Sequence, residues 1–286
     1  MIADHFEYSA PESVSEALKL LKSQENSRVL AGGQSLIPMM KLRLSRPAHL
    51  IDLGRIAELN YIAETNGSVR IGAMSTHHHV ETSETLRAKC PLVADVAGRI
   101  GDVQVRNLGT IGGSLSHADP AADYPAALQA VRAQVRLVSL KGERTLGIDE
   151  FLIDAFTTAL EPGEILYEVI VQADQSGVGS AYMKLQQPAS GFSVVGAAAQ
   201  IGLKNGKISA ARVGITGVGS RSYRAKAVEA ALEGKATNSA GLAEASKLVT
   251  DGVEALSDVY AGSDYRAHVA RVYTRRALEA ALARAK

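Results

Sequence analysis

Strand and helix signals along this chain combine into an α+β protein of two successive domains. Three features carry that reading. Residues 1–55 alternate short strand-like runs with helical ones, as in a small α/β lobe. Asn-Gly pairs at Asn66-Gly67 and Asn205-Gly206 lie between β-forming runs, where a two-residue hairpin turn needs positive φ. From Ser180 onward, three strands come in succession and three helices follow them, the order of an antiparallel sheet covered by helices.

Taken in order, residues 6–8 form a short strand. Ser13 and Glu16 have capping-box spacing and open a helix through Leu21, whose apolar Val14, Ala17, Leu18 and Leu21 share one face. Residues 28–30 are a strand. Residues 36–44 are a helix that Ser35 can cap, with Pro38 in the first turn, where proline is tolerated. Residues 49–53 are the next strand. Residues 61–64 and 69–72 make a hairpin through Asn66-Gly67. Helices are expected from Thr76, over residues 91–98 and over residues 124–130. Residues 134–140 and 144–147 form a second hairpin, and Ile165–Gln172 is a strand.

A polar, flexible stretch, Ala173-Asp174-Gln175-Ser176-Gly177, places a boundary near 174. Residues 1–173 are then one domain with lobes 1–55 and 56–173, and residues 174–286 are the second. The second domain holds a strand at 180–186, a long hairpin from 193–203 and 208–216, and helices over 224–232, 241–250 and 264–285.

Composition excludes several functions. With 286 residues the chain can bury more than one core, and 46% hydrophobic with 21% charged residues is ordinary for a globular protein. A net charge of +1 without a basic run argues against nucleic acid as a partner. No apolar run approaches the roughly 20 residues of a membrane span, and the first residues lack the pattern of a signal peptide. A cytoplasmic protein is expected. The single cysteine, Cys90, cannot form an internal disulfide, and it leaves no iron–sulfur or zinc site built from several cysteines of this chain.

Two glycine pairs carry the chemistry. Ala31-Gly32-Gly33-Gln34-Ser35 follows the strand containing Val29 and precedes the helix from Leu36; Thr110-Ile111-Gly112-Gly113-Ser114 is the second. Paired glycines let the backbone approach a ligand closely, and successive N–H groups in such a turn make an anion-binding concavity. Two such loops can hold the two ends of one diphosphate. A lone Gly-Gly is otherwise an ordinary tight turn. Neither stretch matches the nicotinamide fingerprint or the P-loop, and the glycines of 214–219 are misspaced, reading as a strand end and turn.

These stretches resemble the two FAD loops in the flavoprotein subunits of molybdenum hydroxylases. The first is Ala31-Gly32-Gly33-Gln34-Ser35-Leu36-Ile37-Pro38. The second runs from Gln104 through Arg106-Asn107-Leu108-Gly109 to Ser114, and Asp119-Pro120-Ala121-Ala122-Asp123-Tyr124-Pro125-Ala126 is similar to the segment that follows it there. This family includes the medium subunit of aerobic carbon monoxide dehydrogenase and the FAD domain of xanthine dehydrogenase, and the likeness spans essentially the whole chain. It implies a two-lobed FAD-binding domain of the vanillyl-alcohol-oxidase type, followed by a three-stranded antiparallel sheet with helices.

The resemblance implies roles for individual residues. The backbone of Ala31 to Leu36 would wrap the FAD pyrophosphate and adjacent groups, with Ser35 as a hydroxyl donor, and Val29 would be a further cofactor contact. Thr110, Ile111, Gly112, Gly113 and Ser114 would contact the diphosphate and ribityl chain from the other side. Ser114 stands where the family usually has asparagine. Asp123 would receive cofactor hydroxyls, or else simply cap the helix from Tyr124. Ile100 and Gly101 match positions at the isoalloxazine, and Leu166 and Lys184 match further contacts. A lysine near the flavin pyrimidine edge would stabilise negative charge, although Lys184 also reads as a surface lysine on an edge strand. Phe192 stands where the carbon monoxide dehydrogenase subunit has a tyrosine.

In such a complex the substrate is oxidised at a molybdenum–molybdopterin centre on a large partner subunit. Electrons pass through [2Fe–2S] clusters of a small iron–sulfur subunit to FAD and then to an external acceptor, within a dimer of heterotrimers. No side chain of this chain need be an acid, base or nucleophile. Two other functions fit parts of the pattern. A stand-alone FAD oxidase with covalent flavin would need a larger substrate domain and a histidine or cysteine at its attachment loop, and Gln34 in the first loop argues against it. A non-redox assembly protein would have no need of Gly32, Gly33, Gly112 and Gly113, where a β-carbon would block a ligand.

The remaining candidates have plainer readings. His77-His78-His79 on a helix would diverge by roughly 100° per residue, so they suit a solvated helix start better than one metal ion. Ser116, His117 and Asp119 are too close in sequence for a hydrolytic triad, and Cys90 reads as a buried, unreactive thiol. Arg43, Arg46, Arg99 and Arg106 read as scattered surface charges, or as steering groups for a redox partner.

Overall fold

The computed structural model describes residues 2–236 and 238–285. Its first lobe contains β1 (Glu7–Ser9), α1 (Val14–Ser23), β2 (Ser27–Leu30), α2 (Leu36–Lys41) and β3 (His49–Asp52). The strands form a parallel sheet with β3 between β1 and β2, which buries Leu50 and Ile51 in the centre. Ser13 Oγ accepts the Glu16 N–H as expected. The Glu16 carboxylate, however, accepts from Glu12 rather than from the cap residue, so the reciprocal bond falls one residue early.

Helix α2 is shorter than its sequence suggests. It stops at Lys41, because Arg43 takes φ 61° and the chain folds back, with the Leu44 N–H bonded to Met39 O. Ser35 does not cap it: its backbone is already helical and its hydroxyl makes no cap bond.

The second lobe begins with the hairpin β4 (Ile62–Thr65) and β5 (Ser68–Gly72). Asn66 at φ 53° and Gly67 at φ 76° supply the two left-handed residues of its turn. Six helices follow: α3 (His77–Thr82), α4 (Glu84–Lys89), α5 (Pro91–Ala97), α6 (Val103–Leu108), α7 (Ile111–His117) and α8 (Asp123–Ala130). Then come β6 (Gln134–Ser139), β7 (Gly142–Gly147), α9 (Ile148–Phe151), the small ribbon β8 (Leu152–Asp154) with β9 (Thr157–Thr158), and β10 (Ile165–Gln172). The large sheet is antiparallel, in the order β4-β5-β10-β6-β7. One face packs Val69, Ile71, Val135 and Val169 against α5, α7 and α8. Within the sheet, the fully buried Glu168 carboxylate is held by Arg70, Arg136 and the Tyr61 hydroxyl.

The last segment forms β11 (Val178–Gln186), β12 (Ser193–Lys204) and β13 (Lys207–Thr216), antiparallel in chain order, then α10 (Lys226–Leu232), α11 (Ser239–Ser246) and the long α12 (Ser263–Arg284). Where a helix was expected from Arg224, a fourth strand, β14 (Tyr223–Arg224), first pairs with β13. Two glycines allow close packing here. A β-carbon at Gly179 would overlap Ala281 O, so α12 lies directly on β11; at Gly214 it would overlap Ala126 O, so α8 lies directly on β13.

Candidate cofactor site

A cleft of about 860 Å³ opens between the parallel sheet of the first lobe and helices α6 and α7 of the second, a size suited to a large organic ligand. All the residues expected to touch a cofactor line it except Ile111, which is fully buried in the core, and Lys184.

The loop between β2 and α2 is its most distinctive wall. The backbone N–H groups of Gly32, Gly33, Gln34, Ser35 and Leu36 find no acceptor among the described residues, and the Ser35 hydroxyl is equally free. Successive amides without partners are rare in folded chains unless they face solvent or a ligand. Gly33 has φ 71°, which a side chain resists. Gly32 is required for packing: a β-carbon there would overlap Leu108 O and come within 2.6 Å of Gly109 Cα.

The second glycine pair departs from its expected form. It is not a loop but the first turn of α7, capped by Thr110, whose Oγ1 accepts the Gly113 N–H at 3.1 Å. The Ile111 and Gly112 amides bond to Ser75 O and Ala73 O, and the Ser114 amide to Thr110 O. A concavity of free amides therefore exists on one side only. Gly112 is small because a β-carbon would come within 2.5 Å of Ala73 Cβ, so the glycines at 32 and 112 hold protein against protein. What this side offers is Ser114, which lines the cleft and whose hydroxyl has no hydrogen-bond partner among the described residues.

Farther along, Ile100, Gly101, Leu166 and Phe192 form an apolar wall. Gly191 lies against Gly101, its would-be β-carbon 3.4 Å from Gly101 Cα, so the loop carrying Phe192 closes onto this turn from the other domain. Phe192 remains 43% exposed at the rim.

Asp123 is no helix cap. It is the first residue of α8 and is 4% exposed, with Lys184 Nζ at 2.8 Å, Ser193 Oγ at 2.8 Å and the Tyr182 hydroxyl at 2.5 Å. Burial pushes its carboxyl up from the ordinary range, while Lys184 and then the two hydroxyls pull it back. Lys184 is not a surface lysine either: its side chain is 2% exposed, and Nζ also donates to Arg99 O at 3.0 Å. It lies behind the cleft, bonded to Asp123 and to the carbonyl of Arg99.

The sequence reading missed His77. His78 and His79 are exposed as expected, but His77 is 4% exposed and lines the cleft. The available signal was its spacing to Val80, which puts both on the buried face of α3. His117 packs on Phe156 at 5.1 Å and joins no triad. Cys90 is buried, its thiol donating to Gln172 O, and burial pushes it up to about 12. Arg43 and Arg46 pair with Asp4, and Arg106 with Glu81.

Fold and cleft together define a flavin-nucleotide-binding protein. Residues 4–172 match the family described as FAD binding domain in molybdopterin dehydrogenase, and residues 180–281 match the CO dehydrogenase flavoprotein C-terminal domain. The chain is 38% identical to the carbon monoxide dehydrogenase medium chain of Hydrogenophaga pseudoflava, covering 99% of each. It is 36% identical to the alpha subunit of the 6-hydroxypseudooxynicotine dehydrogenase complex of Paenarthrobacter nicotinovorans, covering 98% of this chain and 96% of that one. A solved structure of the H. pseudoflava carbon monoxide dehydrogenase superposes with a TM-score of 0.97 at 40% identity over 100% of both chains. The chain belongs to the FAD-binding medium subunits of the carbon monoxide dehydrogenase and xanthine dehydrogenase family, and is an oxidoreductase subunit. No helix among the described residues is long and apolar enough to cross a membrane.

Proposed function

We propose that this chain holds one FAD in the cleft and is the electron outlet of a three-subunit molybdenum hydroxylase of the cytoplasm, assembled as a dimer of heterotrimers. The observation that carries this is the run of unpartnered amides from Gly32 to Leu36, on a chain similar to medium subunits over its whole length. These amides and Ser35 would hold the diphosphate, with Ser114 and the Thr110 turn on the opposite side. Val29 and Ala31 would floor the cleft, with Gln34 at its edge. Asp123 keeps acceptor capacity for cofactor hydroxyls beyond its three protein donors. Ile100, Gly101, Leu166 and Phe192 would wall the ring system and keep water from it. Phe192 shields without hydrogen-bonding.

When bound, FAD supplies the redox chemistry, linking [2Fe–2S] clusters of a small partner subunit to an external acceptor. Substrate oxidation belongs to a molybdenum–molybdopterin subunit. Relatives of nearly equal identity are named for carbon monoxide and for 6-hydroxypseudooxynicotine, so likeness in this chain carries little of the substrate's identity. Residues 1–173 supply most of the cleft in this reading, and residues 174–286 its outer wall and the support of Asp123. The test is the absorption spectrum of the purified chain with chromatography of acid-released cofactor. About one FAD per chain is expected. A colourless chain that takes up no added FAD overturns the reading.

A further inference from the structure

His77 is almost completely withdrawn from solvent, yet only one of its two ring nitrogens is used by the protein. Nδ1 lies 3.3 Å from the Tyr124 hydroxyl, and the rings meet at 5.4 Å. Nε2 has no protein partner among the described residues and is not sealed away, because His77 lines the cleft and Nε2 is not among the buried unpartnered atoms. Tyr124 fixes the direction of the bond. Its ring is fully buried and its hydroxyl has no other partner among the described residues, so the arrangement that leaves no buried O–H unpaired has Tyr124 donating to Nδ1. A neutral imidazole that accepts at Nδ1 carries its proton at Nε2. The cleft is thereby given a fixed N–H donor.

Its location identifies what it meets. A β-carbon on Gly109 would come within 2.6 Å of His77 Nε2, and Gly109 Cα is in turn the close neighbour of Gly32. The donor thus stands against the Gly109 turn, on which Gly32, the first residue of the free-amide run, also packs. We infer that His77 is a cofactor-positioning residue whose Nε2–H, aimed by Tyr124, donates to a phosphate oxygen of the diphosphate. This rests on the FAD reading above. The ring is neutral when the cleft is empty, since burial and then Arg106 lower the imidazole to about 4, so it contributes a dipole and a direction rather than a standing charge.

The test uses the full-length chain freed of flavin, with FAD and riboflavin as separate probes and flavin fluorescence as the readout. His77→Asn keeps an acceptor for Tyr124 and removes the distal donor; His77→Gln returns a donor at the distal position. The expected result is a loss of about tenfold or more in FAD affinity for His77→Asn, partial recovery in His77→Gln, and unchanged riboflavin binding. Imidazole nitrogen NMR of the wild type should show the proton on Nε2, and Tyr124→Phe should release that preference. Wild-type FAD affinity in His77→Asn overturns the inference while leaving the FAD reading intact. Equal loss of FAD and riboflavin by a folded variant overturns the diphosphate assignment. A wild-type chain that takes up no FAD removes the FAD reading itself.

Discussion

Lys184 Nζ lies 2.8 Å from Asp123 Oδ2, and both side chains are almost fully buried, although one belongs to the first strand of the C-terminal sheet and the other to a helix of the N-terminal domain. This ion pair joins the two halves of the chain directly behind the cleft.

Removing one partner of a buried pair strands the other. Lys184→Met should cost about 3 kcal/mol or more in stability, and Asp123→Asn combined with Lys184→Met should recover part of that loss. Denaturant melts of the single and double variants check this. A Lys184→Met loss below about 1 kcal/mol would mean that Tyr182 and Ser193 suffice for the carboxylate.

The glycines and the serines of the cleft should separate folding from binding. Gly112→Ala, whose β-carbon meets Ala73, should lower stability by about 1–3 kcal/mol with or without cofactor. Ser114→Ala and Ser35→Ala remove hydroxyls that have no hydrogen-bond partner among the described residues and should leave the melting temperature unchanged while weakening FAD binding. Calorimetry paired with flavin titration distinguishes the two. A Gly112→Ala chain that melts like the wild type would contradict the packing role.

Acid should weaken the empty chain through His77. Its folded pKa of about 4 lies below the ordinary 6.5, so the unfolded chain takes up a proton first as pH falls. The contribution is complete above pH 6.5 and is lost on the way down to about 4, on the order of 3 kcal/mol. His77→Asn should flatten that slope in melts taken across the same window; an unchanged slope would assign the acid lability elsewhere.

Asp174 has the opposite sign. Burial raises its carboxyl to about 6, against which Gln200 and Arg212 act. A raised carboxylate gives stability that is full below 3.8 and lost as pH rises through 6. Asp174→Asn keeps an acceptor for Gln200 and should therefore stabilise the chain at pH 7–8. Melts at pH 5 and pH 8 decide it, and a less stable variant at pH 8 would refute the sign.

Much of the fold was legible because its signals are local. Asn66-Gly67 and Asn205-Gly206 take the left-handed turns that their side chains permit, and the long strands and helices of the C-terminal half follow their patterns. Helices α4 and α6 were missed because six-residue helices carry too little periodicity to register; their capping residues Ser83 and Asp102 were the available cue. At the site, the first glycine pair does leave a run of free amides, as its sequence suggests, but Gly32 is small for packing against Leu108 and Gly109 rather than to admit a ligand. The second does not, because Ala73 and Ser75, distant in sequence, claim its amides. Nor does sequence alone show whether a histidine in a polar run turns inward. His77 does so because Tyr124 awaits it.

Asp123 and Tyr124 are consecutive at the head of α8, yet they answer to opposite halves of the chain, Asp123 to Tyr182, Lys184 and Ser193, Tyr124 to His77. The two family regions match as separate stretches, 4–172 and 180–281, but the molecule cannot be cut between them without leaving a carboxylate stranded beside the cleft. A chimaera that exchanges residues 174–286 should bind its cofactor only if the incoming half carries the tyrosine, lysine and serine that this one aspartate requires. Compatibility between exchanged halves would then be decided at three side chains rather than by overall likeness.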